Sequence, residues 1–266
     1  DTPSSRGLGD VYKRQAPDHL ERHKTFQNYV NAKLKLIKKQ KKKSIALIEK
    51  KNGLIRDILK SQKVKSKIKS VDFKEYDSFY KKIKNNYFKN LSNIKNLSFV
   101  LALSNILKLD NSKILKVVNS FKGLNYRQQI VYNKKKFLII NDSKSTSFSS
   151  TVPLLQSYEN IYWILGGLAK KGDKLNLNKK YFKKIKAYIY GTNRAFFLNV
   201  LKNKCRLHSS KNLKDILSKL FLDIKKNKNG KKTILFSPAA ASFDQFKNFE
   251  ERGRYFNQLL KKYINA

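Results

Sequence analysis

Residues 233–253 read TILFSPAAASFDQFKNFEERG, and the change of pattern inside that stretch decides the fold. Thr233, Ile234, Leu235 and Phe236 form a short apolar run with the look of a buried strand. The residues that follow, Ser237 to Ser242, are nearly all small and keep the connecting loop slim. Phe246, Phe249 and Phe256 then recur at helical spacing, predicting a final helix over residues 245–264. Phe246 and Phe256 are core positions on this pattern. Ser242 stands just before the helix, where its hydroxyl and the free backbone N–H groups of a helix start suit an anion.

Working outward, strand-like and helical patterns alternate along most of the chain. Residues 43–49 and 64–71 read as strands, with helices over 25–40, 54–60, 93–107 and 111–121. Asp110 is a good N-cap for the last of these and Gly123 a good C′ residue. The pattern resets near residues 122–126. Residues 128–132 and 137–141 read as a hairpin around Asn133, Lys134 and Lys135. Further elements follow at 161–165, 179–184, 187–190, 193–202, 213–225 and 233–236. Such alternation with short links predicts an α/β fold on a parallel sheet. Functional groups of these sheets collect at the carboxyl ends of the strands.

The 266 residues include 60 Lys+Arg against 18 Asp+Glu, a formal charge of +42. The excess is nearly all Lys, scattered along the chain, while Arg, the preferred base reader, is scarce. A biased composition explains this better than a nucleic-acid surface, which would cluster its cations with stacking aromatics. A field this positive still attracts polyanions such as nucleotides. The one cysteine, Cys205, cannot form an internal disulfide and fits a reducing, cytoplasmic setting. No apolar run is long enough for a membrane span. Residues 1–15 lack a start Met and differ in composition from the rest, so they are expected to be a non-native leader.

Three segments after strands carry chemistry. Asn141, Asp142, Ser143, Lys144, Ser145 and Thr146 place an acid, a base and hydroxyls at one strand end, where they can hold a phosphate. Alone, this is also what a capped turn before a helix looks like. Gly166 and Gly167 let the backbone approach a ligand, and Lys170 can supply a point charge. The third segment is residues 237–253.

Taken together, the order NDSK-x-T, GG-x-x-K and SPA-x-AS-x-DQF-x-NFE-x-RG closely resembles the C-terminal domain of the Mur ligases, the amide-forming ligases of bacterial cell-wall synthesis. Upstream, Pro17-Asp18-His19-Leu20-Glu21-Arg22-His23 and Asn31-Ala32-Lys33-Leu34 resemble two further family segments. Asn93 and Asn96 resemble its H-N-x-x-N helix, with Ser92 in place of His. Gly123-Leu124-Asn125-Tyr126-Arg127 resembles G-L-P-H-R, with Tyr126 in place of His. The resemblance implies the C-terminal part of a central ATPase-type α/β domain over residues 16–124 and a Rossmann-like α/β domain over 125–266. No G-x-x-x-x-G-K-[ST] occurs, so the chain is expected to be a piece of a longer ligase and inactive alone.

The resemblance also implies roles. His19 and Lys33, the latter as a carbamate, would handle Mg2+ and the reacting carboxylate, with Lys144 beside them in catalysis. Asn93, Asn96, Arg127, Asp142, Lys144 and Thr146 would bind ATP. Lys170, Ser242, the backbone at Phe243 and the wall made by Phe249 would hold D-glutamate. The implied reaction joins D-glutamate to UDP-N-acetylmuramoyl-L-alanine through an acyl phosphate, in a cytoplasmic enzyme expected to be a monomer. The alternatives are a sister ligase of the family, a folylpolyglutamate synthase-like enzyme, or a basic nucleic-acid-binding domain.

Overall fold

The computed structural model describes residues 11–12, 24–50, 59, 64–134, 136–227 and 230–264, and among these residues nine strands and eight α-helices have both ends described. They belong to two compact units. One comprises residues 1–88 and 92–120, the other residues 89–91 and 121–266. The division falls at 120/121, four residues before the 124/125 boundary read from the sequence.

In the first unit, β1 (Val11–Tyr12), β2 (Ile45–Glu49) and β3 (Lys67–Val71) form a parallel sheet in that order. β1 lies inside the stretch expected to be a leader. Alternate residues of β2 serve opposite faces, as strand geometry dictates. Ala46 and Ile48 pack with Tyr29, Val30, Leu34 and Ile37 of α1 (Phe26–Lys39). A short α2 (Asp77–Tyr80) leads on to α3. Leu47 and Val71 pack with Phe99 and Ala102 of α3 (Leu91–Ile106). Val118 of α4 (Asn111–Ser120) joins Leu97 and Leu101 in a further cluster. The helix expected over 54–60 lies outside the described residues except Leu59, which is helical and buried.

The second unit is built on a six-stranded sheet. Its strands are β4 (Gln129–Asn133), β5 (Phe137–Asn141), β6 (Ile161–Gly166), β7 (Ile185–Tyr190), β8 (Arg206–Ser209) and β9 (Lys232–Phe236). The order is β4-β5-β9-β6-β7-β8, and only the β4–β5 hairpin is antiparallel. β6, β7 and β9 are buried on both faces, which explains their unbroken apolar runs. Tyr162, Ile164, Tyr188, Ile234 and Phe236 face α7 (Leu213–Lys226) and α8 (Phe249–Ile264). Trp163, Leu165, Ala187, Ile189 and Leu235 face α5 (Phe148–Ser157) and α6 (Arg194–Leu201).

Three expectations change. The last helix starts at Phe249 rather than 245. The amides of Gln245 and Phe246 turn back onto the Ser242 carbonyl (3.2 and 2.9 Å), and the Asn248 side chain then caps the helix by accepting from the Glu251 N–H (2.8 Å). Residues 179–184 form a 3-10 helix capped by Asn178. α5 is the helix that the capped-turn reading of residues 141–146 would precede, and β8 is not read from the sequence as an element. β8 is a four-residue edge strand of mixed polarity.

Candidate active site

The register of the sheet brings four loops to one edge of the second unit. Asn141 pairs with Phe236, Ile164 with Phe236, and Gly166 with Tyr190, so β5, β9, β6 and β7 end side by side. Backbone hydrogen bonds then carry each loop into the next. Asp142 N–H donates to the Phe236 carbonyl (2.7 Å), Ser237 N–H to Ile164 (3.2 Å), and Gly166 N–H to Pro238 (2.9 Å). Leu168 and Ala241 exchange two bonds of 3.0 and 2.9 Å. Gly166 and Gly167 have φ of +136° and +128°, and a Cβ on Gly166 would lie 1.9 Å from the Tyr190 carbonyl oxygen. No other residue fits this turn.

Lys170, half-buried, follows the Gly pair and closes a turn by accepting from the Asp173 N–H (3.1 Å). Ser242 is 3% exposed and Phe243 is 70% exposed, so the loop tip buries the serine and turns the Phe243 ring to solvent. Phe249 is the first residue of α8. Its carbonyl accepts from Ser143 Oγ (2.8 Å), and its ring lies under Lys144 Nζ, 4.0 Å from the centroid. Lys144 is otherwise exposed, as are Thr146 and Arg127. Arg127 sits in the turn before β4, where Tyr126 takes positive φ (59°) and accepts from the Lys144 N–H (3.0 Å).

Asp142 is 5% exposed. One carboxyl oxygen accepts from Ser237 Oγ (2.9 Å), the other from the Gln128 N–H (3.1 Å). Burial pushes its pKa up to about 7, against the pull of these two bonds and of Arg252 and Arg127.

Arg252 stands out in the structure and not in the sequence. It is fully buried, and its described partners are all neutral oxygens. Nε donates to Ser143 Oγ (3.0 Å), and Nη2 to the carbonyls of Ser143 (2.7 Å) and Ala240 (2.9 Å). Nη1 has no hydrogen-bond partner among the described residues and lies 3.2 Å from where a Gly167 Cβ would be. One guanidinium therefore ties the loops after β5 and β9 to α8. Its place in the RG of the last motif was the only trace of this in the sequence. Asn141 adds a second tie, donating to the Gly253 carbonyl and to Asn257 Oδ1, both at 2.8 Å.

The first unit holds the remaining candidates. Asn93 is buried and donates to the Tyr87 carbonyl (2.7 Å); Asn96 is half-buried on the same helix. Lys33 lies in α1, with its side chain outside the described part, and His19 lies outside the described residues. The magnesium expectation rests on those two. Among the described residues, no group of three or more His, Cys, Asp or Glu side chains comes together to hold a metal.

Residues 15–106 match the family model described as the Mur ligase middle domain. The chain is 34% identical over 265 residues to the UDP-N-acetylmuramoylalanine--D-glutamate ligase of Rickettsia prowazekii, covering 93% of this chain and 59% of that one. It is 34% identical over 260 residues to the ligase of the same name from a Wolbachia of Brugia malayi, covering 92% and 51%. The chain thus spans between half and three fifths of the length of these relatives. In fold it is similar to MurF from Acinetobacter baumannii, with a TM-score of 0.66 at 14% identity over 93% of this chain and 57% of that one. No described helix is long and apolar enough to cross a membrane.

Proposed function

This chain belongs to the Mur ligase family, and from that premise we propose that its second unit binds D-glutamate for ATP-dependent ligation to UDP-N-acetylmuramoyl-L-alanine. The observation that carries this reading is the meeting of the Gly166–Gly167 turn and the 237–242 loop through the Leu168–Ala241 pairing. That pairing sets the Lys170 segment and the Ser242 turn at neighbouring strand ends. A cation and a helix-entry turn together suit a small dicarboxylic acid whose amine must stay free.

The chemistry follows from the charges. Phosphorylating the alanyl carboxylate gives an acyl phosphate, and the amine of D-glutamate attacks its carbonyl carbon. The tetrahedral adduct expels phosphate and leaves the amide. Phosphoryl transfer needs positioning and charge neutralisation more than covalent help. Arg127 and Lys144, exposed at the ends of β4 and β5, supply cations for the nucleotide phosphates. Phe249 steadies Lys144 from below. Mg2+ would neutralise phosphate charge, and Lys33, as a carbamate, and His19 are the residues proposed to hold it.

Isotope-labelled chain titrated with D-glutamate tests the amino-acid site. The amide signals of residues 168–170 and 242–243 are expected to shift with D-glutamate and not with L-glutamate. Lys170→Ala should weaken that binding about ten- to a hundred-fold, the loss of one contact to a charged group. Equal responses to both enantiomers, or a Lys170→Ala protein that binds as tightly as the parent, would overturn the assignment.

A further inference from the structure

A row of hydroxyls leads from the buried carboxyl of Asp142 to the surface. Ser237 Oγ donates to Asp142 Oδ2 at 2.9 Å. Thr151 Oγ1 lies 2.8 Å from Ser237 Oγ, Ser145 Oγ 2.6 Å from Thr151 Oγ1, and Ser150 Oγ 2.7 Å from Ser145 Oγ. Ser150 is exposed and ends on the Ser147 carbonyl (2.7 Å). Ser237, Thr151 and Ser145 are 0%, 0% and 2% exposed, so all three are shielded from bulk solvent. The members come from three places: the loop after β9, the loop after β5 and the first turns of α5.

We infer that Ser237, Thr151, Ser145 and Ser150 form a proton relay between Asp142 and solvent. Each hydroxyl has one hydrogen to donate and lone pairs to accept. With Asp142 ionised, Ser237 donates inward to it and Thr151 donates inward to Ser237. With Asp142 protonated, every donor points outward and the row ends on the Ser147 carbonyl. A proton leaves when Asp142 passes its hydrogen to Ser237 Oγ and each neighbour hands its own hydrogen on. Ser150, which is exposed, turns its O–H from the Ser147 carbonyl to water and releases one proton, and the row is left with reversed polarity. No atom or electron is gained or lost beyond that proton.

The charges around Asp142 suit such traffic. Arg252 faces it from α8 and Arg127 from the turn before β4, both favouring the carboxylate. Tyr158, at the end of α5, also senses its charge. Burial opposes them and brings the carboxyl up to about 7, so both protonation states are populated near neutrality. Amide formation from an ammonium group liberates a proton, and a path at the site's edge gives it an exit. That use rests on the ligase reading; the path itself does not.

Capping of α5 is the plain alternative, since Ser147 and Ser150 form a capping box. The two separate in the 266-residue chain without any substrate. Carboxyl carbon signals of labelled aspartate, followed through the titration of Asp142, report its proton-exchange rate. Thr151→Val keeps the shape and cuts the row, and should slow exchange at least about tenfold, as loss of a positioned proton carrier does. Ser145→Ala cuts the row nearer the surface and should do the same if Thr151→Val folds poorly. Ser149→Ala removes a hydroxyl that touches Ser147 but lies off the row, and should leave the rate unchanged. A rate within twofold of the parent in Ser145→Ala, or equal slowing in Ser149→Ala, would overturn the relay. A cap alone predicts lower melting temperatures for the row variants at an unaltered exchange rate.

Discussion

Asp142 shows how placement overrides residue type. An aspartate ordinarily ionises near 3.8, yet burial holds this one protonated to about 7. In the unfolded chain the carboxyl loses its proton from about pH 4 upward. Between those values the folded form carries one proton more, so stability falls as pH rises and levels off above about 7. Asp142→Asn cannot titrate and should lack this slope. Urea unfolding at about pH 5 and about pH 7 should show the parent losing roughly 2–3 kcal/mol more than the variant over that interval. Parallel behaviour of the two proteins would mean that Asp142 stays ionised throughout. Arg252 teaches a related lesson. It is a fully buried cation whose described hydrogen bonds go to neutral oxygens of two loops. Its chemistry was plain in the sequence, but its partners, Ser143 and Ala240, are far from it in the chain or hidden in a run of alanines.

At the scale of elements, the site depends on how strands end. The β6 turn works because Gly166 and Gly167 occupy backbone conformations open only to glycine. Gly166→Ala drives a Cβ into the Tyr190 carbonyl and should cost more than about 3 kcal/mol, or prevent folding. Gly172→Ala is the contrast. Its φ of +74° is also left-handed, but no atom lies within 4 Å of the added Cβ. That change should cost only about 1 kcal/mol. Thermal unfolding of the two variants measures the difference, and similar melting temperatures would refute the steric account. α5 makes the opposite point about legibility. Its first turn is Ser147, Phe148, Ser149 and Ser150, a composition that favours turns in isolation. The apolar contacts of Phe148, Leu154 and Leu155 with β6 decide for helix.

At the scale of the molecule, the charge of +42 must act against folding through self-repulsion. Few acids are available to offset it, and the described ion pairs are mostly at least partly exposed. Salt should therefore stabilise this protein. Raising NaCl from about 0.05 to about 0.5 M shortens the screening distance roughly threefold and should raise the melting temperature by several degrees. A melting temperature that stays level or falls would show that the lysines are already neutralised by close pairing. The sequence by itself determined the α/β class, the β4–β5 hairpin and the three loops that follow β5, β6 and β9. Those features are local: alternation, apolar runs and glycine pairs report on neighbours in the chain. The tertiary structure alone decided the strand order that inserts β9 between β5 and β6, the burial of Asp142, the clamp made by Arg252 and the row of hydroxyls. Each of these joins residues tens of positions apart, and side-chain spacing along a chain carries no record of which distant strand will lie alongside.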